Sequence, residues 1–204
     1  MLLKRVDKHL ILIFDMDTID SNYKTYKTLL IRAIGEEQAN AIIASVGGDD
    51  AIKKASFGTT DMSGTAFEGS LVQVTIELMN KAIAINSMLP ELLQVDKKVI
   101  GKISILSHIA KVIMFTPNDK QWEITNQGKL YKFAELEGAL RLGERSLLIA
   151  TNAGVQFTPT EFEAMRIVDK IGENDSMTKF FASPLSTVIK MANELVTLEH
   201  QKRF

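Results

Sequence analysis

The stretch HLILIFDMDTID, residues 9 to 20, runs apolar and then delivers three carboxylates, Asp15, Asp17 and Asp20. Carboxylates gathered where a strand ends can attack a phosphoryl group or move a proton. The same side chains also cap helices, because a carboxylate accepts the free N–H groups of a first turn. Other residues with chemistry are scattered. His9, His108 and His200 stand far apart with no paired ligand spacing, the pattern of isolated surface or satisfied core histidines. There is no Gly-x-Ser-x-Gly, no Walker loop and no Gly-x-Gly-x-x-Gly. The chain has no cysteine, which removes thiolate chemistry and disulfides and points to a reducing, cytoplasmic compartment.

Residues 9–20 resemble the first motif of the haloacid-dehalogenase-like hydrolases, in which a strand ends in Asp-x-Asp-Gly-Thr. The resemblance implies Asp15 as nucleophile, Asp17 as general acid and base, and Thr116 in KVIMFT as the hydroxyl of the second motif. The chain departs from that family in three places. Thr18 follows Asp17 directly where the family has glycine, no lysine stands in a third-motif context, and LLIATNAG carries none of the acidic residues that would complete a magnesium site. A degenerate phosphohydrolase is therefore an alternative reading only, and no catalytic residue, metal or cofactor is assigned.

The second concentration of chemistry is basic and aromatic. Between residues 111 and 145 the chain places Lys111, Lys120, Trp122, Lys129, Tyr131, Lys132, Arg141 and Arg145, interleaved with Asp119, Glu123, Glu135, Glu137 and Glu144. Cations that track phosphates and rings that stack on bases are what single-stranded nucleic acid requires. On a strand, Lys129, Tyr131 and Phe133 share one face and Leu130 and Lys132 take the other, with Phe133 expected to fill the core. The short strands followed by GVQFTPTEFEAMRIVDKI are similar to the end of PC4-like and Whirly-type single-strand-binding folds. That likeness implies a curved antiparallel sheet closed by an amphipathic helix.

These residues need elements to hold them. After the opening strand, Asp20 or Ser21 is expected to cap a helix with Tyr23, Tyr26, Leu30 and Ile34 on one face, and a second helix spans Glu36 to Val46 before Gly47 and Gly48. Residues 48–64 read as a loop with at most one helical turn. From Phe67 to Leu89 two apolar stripes run at helical spacing, which marks a buried core helix, or one shared with a partner, ended by Pro90. KVIGKISIL, KVIMFT, WEITN, KLYKF, SLLIAT and VQF read as strands, with PND, QG and NAG as turns. AELEGALRLGE fits either a bulged strand or a helical turn. Thr158, Pro159 and Glu161 form a capping-box signature for a helix closed by Gly172, and Ser183 with Pro184 opens a final helix that ends in HQKRF.

The fold class this predicts is α+β: a mainly helical N-terminal half opened by one strand, then a C-terminal antiparallel sheet with two closing helices. Two domains are expected, residues 1–95 and 96–204. With 204 residues, 46% of them apolar, and 24 basic against 25 acidic side chains, the chain can bury a generous core and exerts no global pull on polyanions. The apolar run Leu10–Phe14 is too short for a signal peptide or a membrane span. The expected function is non-enzymatic binding of single-stranded RNA or DNA by a homo-oligomer without membrane contact. The alternative is an assembly or adaptor protein that uses the apolar helices at Phe67–Leu89 and Leu185–Leu198.

Overall fold

A computed structural model describes residues 16–168 and 183–201. The expected strand before Asp15, the helix close at Gly172 and the last three residues of HQKRF lie outside the described residues. Helix α1 (Met16–Ile34) buries Tyr23, Tyr26 and Leu30, the face their spacing marks. It starts before the expected caps, so Asp20 and Ser21 sit inside the helix, because Ile19 already follows the same period as Tyr23 and Tyr26. Helix α2 (Glu36–Ser45) stops before Gly47 and Gly48. The segment read as loop opens with a short helix, α3 (Asp49–Lys54), and then runs extended to a 3-10 turn at Asp61–Ser63. Helix α4 (Ser70–Met88) is the spine of the molecule. Leu71, Val74, Leu78 and Ile85 are buried on one stripe and Val72 and Met79 on the other, with α5 and α10 packed along it.

Three segments expected as strands are helices, α5 (Lys97–Leu106), α7 (Gln121–Gln127) and α8 (Leu142–Asn152), and so are the first four residues of KVIMFT, Lys111–Met114. In α5 the β-branched residues Ile100 and Ile103, with Leu106, recur every third residue and are fully buried. Burying such a side chain is worth about 1.5–3 kcal/mol, whereas an isoleucine in a helix costs at most ~0.7 kcal/mol relative to alanine. Burial wins. Asp96 supplies the cap, its carboxylate accepting from Lys98 N at 2.8 Å. In α8, Ser146, Leu147 and Ala150 form the buried face, and Glu144 Oε2 accepts from Arg141 N at 3.1 Å. In α7 the apparent alternation of WEITN is overruled at its end by Gly128, whose left-handed φ of 60° terminates the helix and whose N–H returns to Ile124 O at 3.1 Å. VQF forms no strand, and residues 134–141 form neither a strand nor a helix.

The sheet is small and antiparallel. After the single-turn helix α6 (Lys111–Met114) come β1 (Phe115–Pro117) and β2 (Tyr131–Phe133), paired Phe115 to Phe133, Thr116 to Lys132 and Pro117 to Tyr131. The protein is thus α+β and mainly helical. Helix α9 (Pro159–Arg166) carries the predicted capping box, with Thr158 N donating to Glu161 Oε2 at 2.7 Å and Glu161 N to Thr158 Oγ1 at 3.3 Å. Helix α10 (Pro184–His200) is capped by Ser183 Oγ, which accepts from Ser186 N. One hydrophobic core, from Tyr23 through Leu78, Ile103 and Met165 to Val196, crosses the expected division at residue 95, because α5 packs on α1 and α10 on α4. Among the described residues no helix is long and apolar enough to cross a membrane.

Candidate functional site

Residues 115–133 leave the helical core as an excursion, β1–α7–β2. The turn into α7 is pinned by Asn118, which is buried: its N–H donates to Leu130 O at 2.9 Å, its Nδ2 to Lys129 O at 2.9 Å, and its Oδ1 accepts from Lys120 N at 3.1 Å. Residues 59–61 add a further edge, with Tyr131 N donating to Thr59 O at 3.1 Å and Asp61 N to Gly128 O at 2.7 Å. The scaffold is closed by these hydrogen bonds, yet two of its aromatic residues face water. Trp122 is 65% exposed and Phe133 67%, and Phe133 meets Phe115 edge to face at 5.2 Å. Phe133 was expected in the core. It is outside because β2 is three residues long and the helices already fill the interior without it.

The cations of this excursion are self-paired. Lys120 lies 3.2 Å and Lys129 4.0 Å from Glu123, and Lys132 lies 2.6 Å from Asp119. The Lys132 contact holds Asp119 below the usual carboxylate range, and Lys120 with Asn118 does the same for Glu123. The lysine side chains remain 42–67% exposed. Tyr131 is half-buried; burial, and then the nearby Glu68 charge, push its phenol up, against a hydrogen bond with Ser56.

Of the eight basic and aromatic residues expected to form one surface, the structure gathers Lys120, Trp122, Lys129, Tyr131 and Lys132. Lys111 is elsewhere: it is buried, donates to Phe57 O at 2.7 Å and sits 3.2 Å above the centre of the Phe57 ring. Arg145 is used within the fold, its Nη2 donating to Glu137 O at 3.0 Å and Gly138 O at 2.8 Å. Arg141 is exposed at the N-terminal cap of α8, a separate element. Of the acidic group, Asp15 lies outside the described residues, Asp17 is in the first turn of α1, and Asp20 pairs with Lys53 at 2.7 Å. Thr116 lies on β1 opposite Lys132.

A second polar cluster is absent from the sequence reading. Where α5 ends, Ser107 Oγ meets His108 Nδ1 at 2.9 Å, Ser146 Oγ donates to Ser107 O at 3.1 Å and accepts from Ala110 N at 3.2 Å, and Asn193 of α10 adjoins the imidazole. Burial, and then the Lys111 charge, hold His108 well below the usual imidazole range against the opposing contact of Asn193. Ser104 Oγ is sealed without a hydrogen-bond partner. A neutral imidazole is a chemically competent base, but Phe57 lies against it, tilted by 38° with 4.7 Å between ring centres, and simultaneously holds Lys111. The signal was present as Ser104, Ser107, His108 and Lys111, spaced i, i+3, i+4 and i+7. The two runs KVIGKISIL and KVIMFT, read as strands, leave Ser107 and His108 between them. Among the described residues no three His, Asp or Glu side chains lie close enough to hold a metal ion. No family model matches the chain, and neither a curated protein nor a solved structure matches it.

Proposed function

We propose that the chain is a non-enzymatic binding protein that takes single-stranded nucleic acid on the β1–α7–β2 excursion. The observation that carries this reading is Trp122, 65% exposed in the first turn of α7, with three lysines 42–67% exposed on the same excursion. Trp122 and Phe133 offer faces for bases, each stack being worth roughly 1–3 kcal/mol. Lys120, Lys129 and Lys132 meet phosphates. Their present ion pairs are solvent-screened surface pairs, so the lysines exchange a carboxylate for a phosphate at small cost. The carboxylates stay behind, which makes the affinity weak and led by stacking.

The same self-pairing favours a second reading, a protein partner for which Trp122 and Phe133 are the anchors and the paired charges the rim. One titration separates the two. Trp122 is the only tryptophan, so its fluorescence reports the site directly. Oligothymidylate at low salt is expected to quench it saturably, and Trp122→Ala, followed by anisotropy of labelled oligonucleotide, is expected to weaken binding roughly 5- to 150-fold. An unquenched Trp122 and no change in anisotropy would remove the nucleic-acid reading and leave the second.

A further inference from the structure

The β1–α7–β2 excursion is tied to the core through a strap, residues 55–61, and that strap rests on two buried basic side chains, His108 and Lys111. At one end Leu71 N donates to Ala55 O at 3.1 Å, which fastens the strap to α4. At the other, Thr59 O accepts from Tyr131 N at 3.1 Å and Asp61 N donates to Gly128 O at 2.7 Å, which fastens it to the excursion. Phe57 lies between and is buried. Its ring centre is 4.7 Å from that of His108, and Lys111 Nζ sits 3.2 Å from the same centre on Phe57. Ser70 Oγ takes the N–H of Phe57 at 2.8 Å and Thr65 O that of Gly58 at 3.1 Å, while the carbonyl between them, Phe57 O, accepts from Lys111 Nζ at 2.7 Å. Thr59 is two residues further on.

Among the described residues Lys111 is the charge that acts on the imidazole; Ser107, Ser146 of α8 and Asn193 of α10, which converge there, are neutral. Burial and the neighbouring ammonium both favour an uncharged ring. A proton added to His108 would set a second cation against the same buried phenyl ring. The repulsion is relieved when one of the two reaches water. Lys111 cannot leave without stripping Phe57 O of its donor, and a buried carbonyl left unpaired is costly, so the strap opens with it.

We propose that His108 is a proton-sensitive latch on the excursion: a charged imidazole beside Lys111 displaces Phe57 and breaks the bonds that Thr59 and Asp61 make to residues 128–131. At neutral pH the latch is shut, and in mild acid it opens. As a control on binding it rests on the reading of the excursion given above. The opening itself is measured without ligand, so a failure of the latch and a failure of that reading show separately.

Native-state hydrogen exchange of the whole chain, corrected for the intrinsic effect of pH on amide exchange, tests it. An imidazole exposed on opening titrates near pH 6.5, so protection of the Asp61 and Tyr131 amides is expected to fall roughly 5- to 20-fold between about pH 7 and about pH 5. These amides open locally, so their protection stays below that of α4 at both pH values. His108→Gln is expected to make it independent of pH. Lys111→Met removes the second cation and is expected to shrink the fall to under about threefold, which keeps the test decisive where His108→Gln does not fold. His200, the other described histidine, lies against Glu77 of α4, and His200→Gln is expected to leave the fall intact. Protection that does not change with pH, protection equal to that of α4, a full fall that survives His108→Gln or Lys111→Met, or one that vanishes in His200→Gln would each overturn the proposal.

Discussion

Reversing Lys129 and Lys132 to glutamate asks whether the excursion tracks phosphates. Three lysines, Lys120, Lys129 and Lys132, stand on it with side chains open to solvent. Each phosphate neutralised on a single strand contributes roughly −0.7 to the slope of log affinity against log salt, so wild type is expected to show a slope of about −2. Raising salt from about 50 to 200 mM then weakens binding about 20-fold. The double reversal leaves Lys120 alone, with a slope of about −0.7 and a loss under about threefold over the same range. The fold bears the change, because exposed pairs such as Lys132 with Asp119 are screened by solvent and contribute little, and the turn is held by Asn118 and backbone bonds instead. Anisotropy of a labelled oligothymidylate across a salt series, with thermal melts as the control, gives both quantities. A wild-type slope near zero, or equal binding by the reversed variant, would refute the argument. A slope steeper than about −4 would place the phosphate contacts off the excursion.

Four further outcomes follow from the packing. Lys102 donates to Glu161 at 2.9 Å and to Gln156 O at 2.6 Å, with side chains 16% and 8% exposed, so Lys102→Met is expected to cost about 3 kcal/mol and the double variant with Glu161→Gln less, read by urea denaturation as a double-mutant cycle. His108 is held below its unfolded value by burial and then by Lys111; the unfolded chain therefore binds the proton first, and the stability His108 contributes is complete above about pH 6.5 and lost as pH falls below it, at most ~1.4 kcal/mol per pH unit. Urea curves at neutral and mildly acidic pH should show that His108→Gln flattens this dependence, and an unchanged acid slope would contradict it. Asn118→Ala removes three side-chain contacts of the excursion's turn; hydrogen exchange should accelerate at residues 118–130 while the helical core keeps its protection. Gly64 has φ 65°, and a Cβ there would meet His200 O at 1.7 Å, so Gly64→Ala should lower the melting temperature by several degrees, since left-handed backbone alone costs about 1–2 kcal/mol.

The helices with strong punctuation were legible: α9 from Thr158, Pro159 and Glu161, α10 from Ser183 and Pro184, and α4 from its two stripes. What was hidden has one cause. Short apolar runs rich in valine and isoleucine, such as KVIGKISIL, satisfy a buried strand and a buried helix equally. Only the neighbours decide, and here α1 and α4 present a helical groove to Ile100, Ile103 and Leu106. That one ambiguity inflated the sheet. Lys111 and Arg145 left the expected surface for the same reason. A residue placed on an imagined strand face was in fact on a helix turned inward, or spanning to the carbonyls of Glu137 and Gly138.

The two polar groups differ in what each does for the fold. The His108 cluster lies where α5, α8 and α10 converge; Ser146 satisfies the backbone freed by the break after Leu106, and Phe57 closes the imidazole and anchors the lysine in one stroke. Removing it would open the core, so its polarity has a structural use. The excursion is the reverse case. Between Met114 and Arg141 no hydrophobic side chain belongs to the core or packs partly against it. Ordering that much backbone costs about 1–2 kcal/mol per residue, which Asn118 and a three-residue ladder offset only in part. A segment that adds no side chain to the hydrophobic core and presents Trp122 and Phe133 to water is what the proposed binding role requires.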